Sequence, residues 1–234
     1  MSMFTVALIG PDGVGKTTIA RHLERDFPLP LKYMYMGDNV ESCNHMLPTT
    51  RWWKRRKLRR EGPESMRVPP TQKRAAGQSG VLRSSARAVR KTFGFCNRIL
   101  EEAYREWISN SLARRGFIVL LDRHFALDYY HFDIDPTAGH RSFKRRLHGL
   151  IVKRISREPD LVICLDAPGD VVFRRKGEFT PDFLEMRREQ YRDFGSLVRH
   201  FEIVNADRAL PVVIDDVRRA IVRFHQNRSS HVLN

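Results

Sequence analysis

Residues Gly10 to Thr17 read GPDGVGKT and satisfy the spacing G-x-x-x-x-G-K-[ST]. Glycines at Gly10, Gly13 and Gly15 let backbone N–H groups curl round an anion, and a helix starting there would add its partial positive charge. Lys16 can reach the outer phosphates of a nucleoside triphosphate, and the Thr17 hydroxyl can ligate Mg²⁺. The expected nucleotide-contacting set in this run is Gly10, Asp12, Gly13, Val14, Gly15, Lys16, Thr17 and Thr18. A second pair, Asp122-Arg123, ends the apolar run FIVLL. A carboxylate at the end of a strand beside such a turn can hold the water shell of Mg²⁺, and the adjacent guanidinium can grip a second phosphate. The bland alternative for this pair is a cap on the following helix. The chain carries neither a GTPase-type N-K-x-D nor an acidic pair after this run. The spacing predicts a protein that binds ATP or GTP.

Those residues need strands that end beside one another. Phe4 to Ile9 is a short apolar run halted by glycine and suits a buried parallel strand. Thr17 to Phe27 carries Ile19, Leu23 and Phe27 on one helical face and stops at Pro28. Leu31 to Met36, Phe117 to Leu121, Leu161 to Leu165 and Phe201 to Val204 are four further candidate strands. Ile99 to Arg115 is the clearest amphipathic helix, with Gly116 placed to cap it. Arg141 to Arg157 and Asp215 to Phe224 read as two more helices. Strands alternating with helices predict an α/β fold: a five-stranded parallel sheet flanked by helices, of the P-loop NTPase type.

Beyond the glycine-rich turn, the chain resembles the thymidylate kinase family. CNRILEEAYREWISNSLARRGFIVLLDRHF (Cys96 to Phe125) is similar to that family's run of Asn-Arg, helix, Gly, strand and Asp-Arg-Tyr. PDLVICLDAPGDVVFRRKGE (Pro159 to Glu178) looks like its fourth strand and Arg-bearing lid. FLEMRREQY (Phe183 to Tyr191) resembles the helix after the lid, and VNADRALPVVIDDVRRAI (Val204 to Ile221) the last strand, adenine-side loop and closing helix. The resemblance implies ATP-dependent phosphoryl transfer to a nucleoside monophosphate, dTMP first, with Mg²⁺ as cofactor and a homodimer as the common assembly. It implies one kinase domain over 1–234, with a basic insertion at about 38–92 and a lid at about 174–182.

Carried over by residue, the resemblance makes Lys16, Asp122, Arg123 and Arg175 catalytic, with Arg174 and Lys176 able to share the neutralisation of the transferring group. Thr17 and Asp122 would hold the metal. Asp12 would receive the acceptor sugar, Arg98 would read its base, and Arg123 would hold its phosphate. Ala206 and Asp207 would border the donor adenine. Departures cluster on the acceptor side. YMYMGDNV replaces an Arg-Glu-Pro turn, His124 replaces the Tyr of Asp-Arg-Tyr, and Gly94 stands where a Phe would stack on the base, flanked by Phe93 and Phe95. Tyr129, Tyr130 and Phe132 are further candidates for lining the acceptor pocket or the core. A kinase of the same fold with another acceptor, such as a deoxynucleoside or a phosphorylated sugar, is the alternative.

The 234 residues carry a formal charge of +15, unevenly placed. Arg51 to Arg98 holds 15 basic and two acidic residues, whereas the other 186 hold 27 basic and 25 acidic. The excess is therefore a property of one segment. From Arg51 to about Ser85 it has little apolar periodicity and reads as an irregular, mobile insertion. Its possible roles are an anionic partner (nucleic acid through phosphates and Trp52 or Trp53 stacking, or a membrane surface), a more anionic substrate, or plain solvation. A hydrophobic content of 41% supports a core, and no apolar run approaches a membrane span. Cys43, Cys96 and Cys164 have no paired spacing, and the nine histidines lack metal-ligand spacing. These features, with no signal peptide at the start, lead us to expect a cytoplasmic protein.

Overall fold

Valine, isoleucine and leucine run through β1 (Thr5–Ile9), β2 (Leu31–Tyr35), β3 (Ile118–Asp122), β4 (Leu161–Asp166) and β5 (Phe201–Asn205). Side chains alternate across a strand, so an all-apolar run demands cover on both faces, as in a parallel sheet wrapped by helices. The computed structural model, which describes residues 3–37, 43, 45–61, 81–135, 139 and 142–232, has this arrangement. The strands form one all-parallel sheet in the order β2-β3-β1-β4-β5. The central strand places Leu8 beside Asp122 on one side and Ile163 on the other.

The alternation builds two cores. Val6, Leu8, Ile118, Leu120, Ile163 and Leu165 face α1 (Lys16–Arg25) and α8 (Leu210–Val232), which supply Ile19, Leu23, Val213, Val217 and Ile221. Ala7, Ile9, Val119, Leu121, Val162 and Cys164 face the other way. They pack with Ile108 and Leu112 of α3 (Val81–Arg114), Val152 of α5 (Phe143–Ile155) and Tyr191 of α7 (Pro181–Asp193). Cys164 is a buried small apolar side chain here, its thiol pushed up to about 12 by burial. Between β3 and α5 the chain makes the short α4 (Phe125–Asp128) and a π-helical turn, Tyr130–Ile134. Helix α6 (Gly169–Lys176) follows β4.

All five expected strands form, with ends within a residue or so of those read from the sequence. The helices differ more. The segment expected to be irregular from Arg51 is helical over α2 (Pro48–Glu61), and α3 begins at Val81, long before its apolar stripe. Both stretches are rich in Arg, a good helix former, and Pro48 sits at the first helical position, where its missing N–H costs nothing. Their dense charge is what pointed to an irregular segment. The rest of the expected insertion, 62–80 and most of 38–44, lies outside the described residues. Helix α8 likewise starts at Leu210, because Pro211 in the first turn is compatible with a helix. Among the described residues no helix is long and apolar enough to cross a membrane.

The chain runs from β1 to β2 and back to β3 on one side of β1, then crosses past β1 to β4 and β5 on the other, so the direction of winding changes at β1. The carboxyl ends of these strands frame a crevice, the usual ligand position in such sheets. Gly10, Arg123 and Ala167 each follow directly from one of these ends.

Candidate functional site at the carboxyl edge of the sheet

The turn after β1 is shaped by three glycines with positive φ: Gly10 at 138°, Gly13 at 99° and Gly15 at 107°. A Cβ on Gly10 would stand 2.6 Å from the Leu165 carbonyl oxygen, so only glycine lets the turn pass this close to β4. Gly15 caps α1, and no side chain caps this helix start. Lys16 is buried, and its Nζ donates to the carbonyls of Gly10 (2.7 Å) and Pro11 (2.8 Å), 3.7 Å from Asp12. Burial and the nearby Arg123 lower its pKa. Val14 is buried, and Thr18 is exposed on the first turn of α1.

β3 delivers Asp122, fully buried, against this turn. Thr17 Oγ1 donates to Asp122 Oδ2 at 2.5 Å, and Tyr33 Oη donates to the same oxygen at 3.3 Å. Asp122 Oδ1 is buried with no hydrogen-bond partner among the described residues. An orphaned carboxylate oxygen next to a hydroxyl is a fitting donor pair for a hard divalent cation, whose remaining ligands come from phosphates and water. Arg123 is a non-glycine residue at φ 77°, a conformation that costs about 1–3 kcal/mol and concentrates at functional sites. Its N–H donates to the Leu8 carbonyl at 3.0 Å, and its guanidinium hydrogen-bonds Asp12. Burial works against the charge of Asp12, but Lys16, Arg123 and Lys176 outweigh it and hold its pKa below the ordinary carboxylate value.

The three adjacent cations in the last turn of α6 diverge. Arg174 pairs with Asp170 of its own helix at 3.1 Å. Arg175 donates to the Ala206 carbonyl at 3.0 Å and lies 3.9 Å from Asp207, so it joins the loop after β5. Lys176 is the one that packs on the glycine-rich turn: a Cβ on Gly13 would lie 3.1 Å from its Cβ. Arg175 thus lies toward the loop after β5, and Lys176 toward the glycine-rich turn. Helix α7 is pinned to β4 through Arg188, which donates to both oxygens of Asp166 (2.7 and 2.9 Å) and to Glu185 (2.7 Å). Glu185 in turn accepts from the Gly169 N–H at 2.7 Å. Near Arg123, Tyr191 Oη donates to Asp128 at 3.1 Å and accepts from Arg187 at 2.8 Å.

Across the crevice, Arg98 of α3 lies over the Tyr129 ring, 4.5 Å from its centroid, and its Nε donates to Glu102 at 3.0 Å. Glu102 is buried against His148 of α5, whose other ring nitrogen meets Asp133. Phe95 is half-buried and set edge-on to His148, centroids 6.2 Å apart. Tyr129 is half-buried, whereas Phe132 is exposed beneath Arg187. The Glu102 partner of Arg98 was visible as an i, i+4 pair in the sequence. His148 and Asp133 come from other segments and gave no such signal. Further along the same helix, Arg105 is fully buried, donating to Glu101 at 2.9 Å and to the Gly37 carbonyl at 2.7 Å, and so ties the end of β2 to α3.

Arg51, Trp52, Arg55, Arg56 and Arg59 are exposed side chains of α2 spaced to share one helical face, and the Arg56 guanidinium stacks on Trp52 at 5.4 Å. No protein-family model matches this chain, and no curated protein matches it.

Proposed function

We propose that this chain is an ATP-dependent kinase with a P-loop NTPase fold that phosphorylates a nucleoside monophosphate, with dTMP the first candidate. One observation carries the reading: the turn Gly10–Thr17, with its three left-handed glycines, meets Asp122 and Arg123 at neighbouring strand ends. The turn and the start of α1 would receive the β- and γ-phosphates, and Lys16 would exchange its two loop carbonyls for phosphate oxygens. Thr17 and Asp122 would hold Mg²⁺, which when bound supplies neutralisation of phosphate charge. Arg123 would bind the acceptor's phosphate once Asp12 releases it, and Lys176 is the lid cation placed to approach the transferring group. An acceptor phosphate oxygen then forms a bond to the γ-phosphorus as the bond to the β–γ bridging oxygen breaks, and ADP leaves. Such transfer relies on positioning and charge neutralisation more than on a strong base. Arg175, held at Ala206, borders the side where the adenine would lie.

An ADP-release assay with Mg²⁺ and a panel of nucleoside monophosphates, deoxynucleosides and phosphorylated sugars tests this. Turnover of dTMP that Lys16→Ala abolishes is the expected result. Turnover of a different member of the panel moves the acceptor and keeps the kinase. ATP-independent behaviour of the whole panel, with no ATP binding, rejects the reading.

The α2 face supports a second role beside the first. Four exposed arginines around a tryptophan are suited to phosphates and a stacked base. A single-stranded oligonucleotide should therefore bind with an affinity that falls steeply with salt, and Arg55→Gln with Arg59→Gln should flatten that slope. Binding that ignores salt counts against this role.

A further inference from the structure

We propose that Glu102, His148 and Asp133 form a positioning relay that aims the Arg98 guanidinium at the nucleotide acceptor, with the doubly protonated imidazole as its working form. The inference rests on the kinase reading and concerns the acceptor side of that same site.

The geometry is a chain of four ionisable groups from three segments. Asp133 Oδ2 lies 2.7 Å from His148 Nδ1, and His148 Nε2 lies 3.1 Å from Glu102 Oε2 and 3.2 Å from Oε1. Glu102 Oε1 accepts from Arg98 Nε at 3.0 Å. A neutral imidazole has one N–H, whereas here both ring nitrogens face carboxylates, so only the imidazolium satisfies both contacts. The cation then balances Glu102 and Asp133 together with Arg98. His148 is 2% exposed and Glu102 equally hidden, whereas the Arg98 side chain is 41% exposed. Three buried groups thus converge on a single side chain that reaches solvent.

Burying such groups costs desolvation free energy, and an apolar cluster of the same volume would commonly be as stable. What the network adds is direction. Arg98 is fixed at its Nε edge by Glu102 and on its face by the Tyr129 ring, which itself stands edge-on to His148 with centroids 5.0 Å apart. The approach is enforced by the backbone: a Cβ on Gly149 would fall 2.0 Å from the Asp133 carbonyl oxygen, so α5 and the π-helical turn can meet this closely only at glycine. The groups facing His148 are Glu102 and Arg98 from α3, Tyr129 after α4 and Asp133 from the π-helical turn. Arg145 of α5, 3.8 Å from Asp133, is a further charged neighbour of that carboxylate. Burial disfavours the imidazolium, but the bonds to Asp133 and Glu102 outweigh it and raise the His148 pKa above the ordinary 6.5. The charged form is therefore complete below about 6.5 and is lost as pH rises through the higher folded value.

The experiment is steady-state kinetics of the full chain with ATP and dTMP from about pH 6 to about pH 9, for wild type, His148→Gln and Asp133→Asn. The wild-type KM for dTMP should rise about tenfold across this range, the loss of one charge-assisted hydrogen bond, while the KM for ATP stays flat. His148→Gln should show the raised dTMP KM already at the acid end, with no further pH dependence and an unchanged ATP KM. A dTMP KM that is flat in the wild type and unmoved in His148→Gln overturns the relay and leaves the kinase reading intact. Where dTMP is not turned over, or His148→Gln does not fold, NMR titration of ¹³C-labelled histidine in the wild type and in Asp133→Asn decides. A His148 resonance titrating above 6.5, and shifted down in Asp133→Asn, supports the relay; titration at or below 6.5 overturns it.

Discussion

Around Gly10–Thr17 the candidate binding surface is made of backbone, shaped by glycines and steadied by the edges of β1, β3 and β4. Around Arg98 it is made of side chains, with Glu102, His148, Asp133 and Tyr129 brought together from α3, α5, the π-helical turn and the residue that follows α4. A turn of backbone N–H groups suits phosphate of any nucleotide, because it reads charge and curvature. A network of charged side chains reads the shape and polarity of one ligand, and its strength depends on protonation. If the kinase reading proposed above holds, the contrast predicts donor binding that is generic and acceptor choice that is local and pH-dependent.

The most severe break should come at Lys16. Lys16→Ala should lower ADP release by about a thousandfold or more with the far-ultraviolet spectrum unchanged; retained turnover would separate the glycine-rich turn from the chemistry. Gly149→Ala should be the structural counterpart on the acceptor side. Its methyl has no room against Asp133, so urea unfolding should shift by about 3 kcal/mol, the upper part of the overpacking range. A shift under about 0.5 kcal/mol would mean that α5 can move away freely.

A smaller effect is expected at Glu106, on the face of α3 near His124. Its Oε1 is buried without a hydrogen bond among the described residues, 3.8 Å from His124 Nε2, and burial pushes its pKa up to about 7. Burial pushes His124 down to about 4, so the pair is not an ion pair near neutrality. A carboxyl that ionises later in the folded chain than in the unfolded one loses stability for the fold as pH rises through about 7. Glu106→Gln should therefore be more stable than wild type at about pH 8, by on the order of 2–3 kcal/mol. The difference should vanish near pH 4.5. Equal urea midpoints at both pH values would refute this. The mildest change is on α2, where Arg55→Gln should alter stability by no more than about 0.5 kcal/mol, because its side chain is exposed. A larger loss in thermal unfolding would show that the face packs on something.

The donor end was legible because its signals are local. GPDGVGKT lies within eight consecutive residues, and Asp122-Arg123 follows a strand that its own composition declares. The positive φ of Arg123 was not legible, since nothing in its residue type favours that conformation. The lid sequence showed three adjacent cations but not their divergence, which depends on where the end of α6 meets Gly13 and Ala206. Helix α2 and the first turns of α3 escaped because their dense positive charge reads as a solvated, irregular segment, although Arg and Lys are also good helix formers. His148 read as one scattered histidine among nine. Its meaning depends on Asp133, fifteen residues earlier, and Glu102, forty-six earlier.

The sequence by itself determined the strands, their alternation with helices and the glycine-rich turn, because each depends on neighbours in the chain: apolar runs, capping residues and the left-handed freedom of glycine. Tertiary structure alone decided the order of the strands, which lid cation lies on the turn, and the joining of Arg98 to a buried imidazole. Those depend on long-range packing and on which charges share one low-dielectric space, and neither is encoded in any short stretch of residues.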